Sequence, residues 1–115
     1  MPLAIAAPFQ DDPDAIDRAH LRAMTLGDAA LAKEVLRLFD RQAEMLIERM
    51  RDADPASLAA LAHALKGSAR GVGAWQVATA AESVERTGPD YGVALDRLAQ
   101  AVRAARGQIA QLLAA

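Results

Sequence analysis

No cysteine occurs among the 115 residues. Its absence excludes a disulfide framework, a thiolate metal site and a cysteine nucleophile. Aromatic residues are scarce, with two Phe, one Trp and one Tyr (Phe9, Phe39, Trp75 and Tyr91), and β-branched residues are few, which argues against a sheet. There is no excess of positive charge: a net charge of −2 gives no footing for nucleic-acid binding. No apolar run approaches the ~20 residues of a membrane span. The apolar stretch Met1 to Phe9 is too short for a secretory h-region and has no basic flank. A cytoplasmic protein with neither membrane nor nucleic-acid partners is expected. Lysine is also rare: Lys33 and Lys66 stand against eleven arginines, a bias that a GC-rich bacterial genome would produce.

What the chain does have is alanine and a hydrophobic fraction of 53 %. Such a composition favours helices and suffices for the core of one domain. Residues 1–13 hold three prolines and read as an extended arm ahead of a single domain over 14–115. A short first helix is expected from about Asp14 to Met24, with Gly27 after it. Asp28 can cap a long helix of about 28–52, where Leu31, Val35, Leu38, Phe39, Met45, Leu46 and Met50 recur at helical spacing. Asp54-Pro55, an N-cap followed by proline, opens a third helix of about 55–71. Gly71-Val72-Gly73 ends it, with Gly71 read as the terminator. A fourth helix, about 74–87, carries Ala74, Val77, Ala81 and Val84 on one face, and Gly88-Pro89 closes it. In the last helix Tyr91, Leu95, Leu98, Val102, Ala105, Ile109 and Leu112 alternate steps of four and three, a stripe suited to a seam between helices. Short connections imply an all-α, antiparallel up-down-up-down four-helix bundle with a short extra N-terminal helix. His20, Trp75 and Phe39 are expected to pack inward.

His63 breaks the pattern of a helix built for stability alone. Leu58, Leu61, Leu65, Ala69 and Val72 form the apolar face, and His63 points about 150° away from its middle. Its helical neighbours are Ala59, Ala60, Lys66 and Gly67. All but Lys66 are small, so the imidazole is open to another protein's surface. Gly67 and Gly71 inside a helix would cost about 1 kcal/mol each relative to alanine; Gly67, which faces solvent with His63, is read as giving access to a partner. An ordinary imidazole titrates near ~6.5 and is a competent nucleophile at neutral pH. In a hairpin turning near Gly73, both Glu82 and Glu85 fall level with His63 and could orient its ring. No nucleotide-binding motif is present, so no autonomous ATP-dependent kinase activity is expected.

The run His63-Ala64-Leu65-Lys66-Gly67-Ser68-Ala69, followed by Gly73-Ala74, resembles the signature of histidine-containing phosphotransfer domains. Phe39, Leu46, Asp54, Leu58 and Ala62 match the upstream spacing and Val84-Glu85 a downstream pair, so the likeness covers roughly residues 30–90. Arg70 and Gly71 depart from it, standing where small or polar residues are more usual.

The resemblance implies a bacterial phosphorelay carrier that shuttles a phosphoryl group between receiver-domain aspartates. His63 would be the phosphoacceptor, Lys66 would neutralise phosphate charge, Gly67 would give access, and Glu85 would be the imidazole partner. Ala59, Ala60, Ser68 and Arg70 would meet the partner, with Ser68 also able to bond backbone or a neighbouring helix. The implied partners are response-regulator receiver domains and a hybrid histidine kinase. No cofactor is expected on this chain, with Mg²⁺ on the receiver, and a stand-alone monomer is expected rather than a domain cut from a larger kinase. The alternative is an interaction module that binds a receiver or kinase without carrying phosphate. A cofactor- or metal-binding bundle would need inward Glu and Glu-x-x-His ligands, a pattern to which neither histidine belongs.

Overall fold

The structure is a computed structural model, and it describes residues 15–115; the expected arm at 1–13 and the expected helix start at Asp14 lie outside them. Five helices make up the described chain: α1 (Arg18–Met24), α2 (Ala29–Arg51), α3 (Pro55–Val72), α4 (Trp75–Thr87) and α5 (Gly92–Ala114). Three of them begin at aspartate caps, where a carboxylate satisfies a backbone N–H that has no partner inside the helix. Asp17 accepts from His20 N, Asp28 from Leu31 N and Asp54 from Ser57 N. The cap at Asp17 explains why the described helix begins at Arg18, inside the expected boundary.

The four long helices close a ring in which α2 packs on α3, α3 on α4, α4 on α5 and α5 back on α2, and α1 lies against α2 and α3. This is the expected antiparallel four-helix bundle with a short extra helix. The core is aliphatic and alanine-rich: Leu36, Phe39 and Met50 of α2, Leu58 and Leu65 of α3, Val77 and Val84 of α4, and Leu98 and Ile109 of α5 are buried. The α5 stripe is buried from Leu95 to Ile109, with Tyr91 and Leu112 half-covered at its ends. Arg106 ties α5 to α2 through Asp40 at 2.8 Å and Glu44 at 3.4 Å.

Three expectations need correction. Gly71 does not terminate α3; it lies inside the helix, and Gly73 ends it with φ of 81°. A left-handed residue is needed there so that Ala74 N can reach back to Ala69 O at 2.8 Å. Trp75 is not core: it is 41 % exposed and donates from Nε1 to Asp17 Oδ2 at 2.9 Å. The buried face of α2 is turned from the expected stripe, because Leu36, Ala43 and Ile47 are buried while Leu31, Leu38 and Met45 are exposed. Packing on two neighbours selects one of two adjacent apolar stripes, and the Arg106 pairs accompany that rotation. A smaller adjustment holds in α3, where Ala62 is fully buried and Leu61 only half-buried.

Candidate functional site

His63 occupies the middle of α3 on the side away from the core, and its side chain is 68 % exposed. Ten residues further on, the chain turns at Gly73 and returns as α4, which brings Glu85 level with it. Glu85 Oε2 stands 2.8 Å from His63 Nδ1, and Glu85 Oε1 stands 2.8 Å from Lys66 Nζ. Glu82, the other acid at this level, pairs instead with Arg86 at 3.2 Å. The Lys66 side chain is only 13 % exposed. It runs between α3 and α4 towards Glu85, so the ammonium supports the carboxylate from below while the imidazole caps it from outside.

The electrostatics fix the ring's hydrogen. The bond from Lys66, and then that from His63, hold the Glu85 carboxyl below the ordinary carboxylate range, against partial burial, which pushes it the other way. An ionised carboxylate can only accept. His63 Nδ1 therefore carries the hydrogen and donates it to Glu85. In the neutral ring this leaves the lone pair on Nε2, at the exposed edge of an exposed side chain.

The surroundings of the ring are low. Gly67 is exposed and Gly71 half-buried, and a Cβ built at either would meet nothing within 4 Å. Ala60 is exposed and Ala59 half-buried. Arg70, two turns along from His63, is exposed and forms no ion pair among the described residues. Ser68 is half-buried, and among the described residues its hydroxyl has no hydrogen-bond partner, contrary to the expectation of a bond to backbone or a neighbouring helix.

The sequence pattern did not reveal two features. Lys66 and Glu85 mark the α4 side of α3, so Ala60, Ala64, Gly67 and Gly71 lie between His63 and α2. On α2 Asp40 and Glu44 pair with Arg106 of α5, and Leu31, Leu38 and Met45, on the opposite side of the helix by its 3.6-residue period, are exposed. The seven-residue spacing of the three was visible in the sequence, but not their exposure. The second feature anchors α1 near the α3–α4 turn. Asp17 N donates to Gly73 O at 2.9 Å, Asp17 takes the Trp75 indole, and the His20 ring meets Trp75 edge-on at 4.9 Å. The Trp75 bond, followed by the His20 backbone bond, holds the Asp17 carboxyl below its ordinary range.

Comparison with known proteins agrees with this geometry. The sequence profile described as "Hpt domain" matches residues 34–115. The crystal structure of the histidine phosphotransferase ShpA from Caulobacter crescentus is similar, with a TM-score of 0.69 and 33 % identity over 84 % of this chain and 88 % of that one. Among curated protein sequences none matches.

Proposed function

We propose, on the premise that this chain belongs to the Hpt domain family, that it is a phosphocarrier in which His63 passes a phosphoryl group between the aspartates of receiver domains. Family membership places it in histidine phosphotransfer within phosphorelays; the acceptor residue, the aspartate-to-aspartate route and the partners are the proposal. The observation that carries it is the pairing of His63 Nδ1 with Glu85, which leaves Nε2 free on a ring that is 68 % exposed. A phosphoryl carrier needs little more, because transfer of this group depends on positioning and charge stabilisation, and the receiver supplies its own Mg²⁺.

The roles of the neighbours follow from their places. Lys66 holds Glu85 and adds positive charge beneath the ring, where it offsets that of a phosphoryl group. Arg70, exposed two turns away, is placed to meet the partner's acidic site. Gly67 and Ala60 keep the approach to Nε2 low. Leu31, Leu38 and Met45 supply apolar surface beside it, as the centre of a protein–protein interface needs. The implied partners are response-regulator receiver domains and a hybrid kinase that carries one, and the chain itself acts as carrier rather than kinase.

The test is phosphotransfer from a panel of phosphorylated receiver domains to the wild-type chain and to His63→Gln. Acid-labile, base-stable label on wild type alone is the expected result. Label of the same kind on His63→Gln would remove His63 from its role. Binding of receivers without any label would favour an interaction module.

A further inference from the structure

We infer that the cleft between α1 and α2 is a binding site for a small organic anion, one with a carboxylate or phosphate head on a short apolar body. The site is separate from the one described above. Neither α3 nor α4 contributes a residue to it, and none of His63, Lys66 and Glu85 lines it.

The cleft lies where α1 packs on the first turns of α2, with Leu112 near the end of α5 closing the bottom. Alanine at positions 29 and 32 of α2 leaves room there, and the space amounts to about 260 Å³. That is close to the lower end of the range of about 300–1,000 Å³ for small-molecule sites. The floor is apolar: Leu21 and Leu36 are buried, and Ala32 and Leu112 are half-buried. Thr25 also lines it, but its hydroxyl is already bonded to Leu21 O at 2.8 Å.

The rim is positive. Arg18 and Arg22 stand one turn apart on α1, and Lys33 faces them from α2. None of the three forms an ion pair among the described residues. Lys33 Nζ donates to the backbone oxygen of Ala115 at 3.3 Å, which leaves its charge uncompensated. The carboxylate among the lining residues, Asp28, is engaged in capping α2 through Leu31 N at 3.0 Å. Three cations against one carboxylate leave the cleft positive in a chain whose net charge is −2.

The two features together select the ligand. A guanidinium offers paired donors that match a carboxylate or a phosphate, and two of them one turn apart can grip one head group. The floor offers apolar surface on which a short hydrocarbon body is removed from water. An inorganic anion would leave the floor uncovered, and a neutral apolar molecule would leave the rim unanswered.

The test titrates the full chain with octanoate and with octyl phosphate, followed by calorimetry and amide chemical shifts. At least one should bind saturably with a Kd at or below about 1 mM, as about ten heavy atoms allow. Shifts should fall at Leu21, Ala32 and Leu112 and leave His63 unmoved, and the tighter of the two probes identifies the head group. Octanol and inorganic phosphate, each with half of the chemistry, should bind at least about tenfold more weakly, as for loss of a charged hydrogen bond or of the buried body. Arg18→Gln with Arg22→Gln changes two exposed residues; it should keep the helicity and weaken binding of the amphiphiles by about tenfold or more. Ala29→Leu, at the exposed mouth, should weaken binding while every charge stays in place. Octanol binding as tightly as octanoate, or a double arginine variant with unchanged affinity, would overturn the inference. So would shifts confined to Leu31, Leu38 and Met45, or no binding to the full chain, the result expected if the carboxylates of residues 1–14 met the rim instead. Phosphotransfer through His63 is tested separately, so either reading can fail while the other stands.

Discussion

His63 and Glu85, twenty-two residues apart in sequence, meet at 2.8 Å across the hairpin formed by α3 and α4. Neither residue alone defines the site. In the phosphocarrier proposed above, the histidine supplies the nucleophilic nitrogen and the glutamate selects which nitrogen that is. Lys66, one turn along α3, holds the other carboxylate oxygen at the same distance.

Removing that support should be felt at Glu85 before it is felt anywhere else. Lys66→Ala leaves Oε1, which is buried from water, without its ammonium. The carboxyl should then titrate at higher pH than in wild type, because the largest cause of its depression is gone. Carbon NMR of the Glu85 side chain measures this directly. Transfer from a phosphorylated receiver should fall by about tenfold or more, as for loss of one charge-assisted bond. An unchanged titration would mean that Lys66 does not govern Glu85.

Gly67 separates stability from function. An added methyl group meets nothing in the folded chain, and alanine is the better helix former. Gly67→Ala should therefore raise stability by up to about 1 kcal/mol, which corresponds to a Tm higher by about 4–8 °C in a domain of this size. The same methyl group stands in the approach to Nε2, so the rate of phosphotransfer should fall. Calorimetry and a transfer time course together check it; a more stable and equally fast variant would show that Gly67 is not needed for access.

The exposed flank of α2 gives a test of docking that leaves the chemistry untouched. Leu38 is 53 % exposed and takes no part in the His63–Glu85–Lys66 pairs. Leu38→Glu should weaken receiver binding by about tenfold, the range of about 1.4 kcal/mol expected for an apolar contact in an interface. Loading by phosphoramidate should be unchanged. Titration calorimetry against a receiver reads the first and a gel-shift assay the second.

At Gly73 the effect should be on folding alone. Its φ of 81° is left-handed, and a Cβ there would come within 3.0 Å of Asp17 O and 3.1 Å of Asp17 Cβ. Gly73→Ala combines backbone strain with a clash at the α1 anchor and should cost about 2 kcal/mol or more. Denaturant unfolding followed by circular dichroism measures this. A variant as stable as wild type would show that α1 is not held at this turn.

Acid should loosen the fold over a definite range. Asp17, Asp54 and Glu85 are all held below their ordinary values, by the Trp75 indole, by the Ser57 backbone N–H and by Lys66 respectively. A carboxylate whose folded value is depressed contributes stability that is complete above its unfolded value, about 3.9 for Asp and 4.3 for Glu. That contribution is lost as pH falls through the lower folded value. The part of the stability that these three carboxylates contribute should therefore be complete at about pH 5 and decline below it. Denaturant unfolding that showed stability rising as pH fell from about 5 to about 3 would contradict all three assignments.

Periodicity and cap chemistry alone determined much of this protein. Asp28, Asp54-Pro55 and Gly88 mark helix ends whatever surrounds them, because the orphan N–H groups and the breaks in helical backbone are local. The α5 stripe from Leu95 to Ile109 read as a seam between helices, and it is buried. The run from His63 to Ser68 announced an exposed imidazole because its neighbours are small, again a local property.

What only the tertiary structure decided depends on how one helix is rotated against another. Which stripe of α2 is buried, Leu36 with Ala43 or Leu31 with Leu38, was ambiguous in sequence because the two lie side by side on one helix; packing against α3 and α5 settled it. The choice of Glu85 over Glu82 lay beyond helical spacing, since both fall level with His63, and it was made by the distance across the hairpin. The place of Trp75 was misread for the same reason. Its size argues for the core, but at the first position of α4 it meets Asp17 and His20 of a segment fifty-eight residues earlier in the chain, a contact that no local pattern contains. Helices are determined by neighbours in sequence; the site was assembled by neighbours in space.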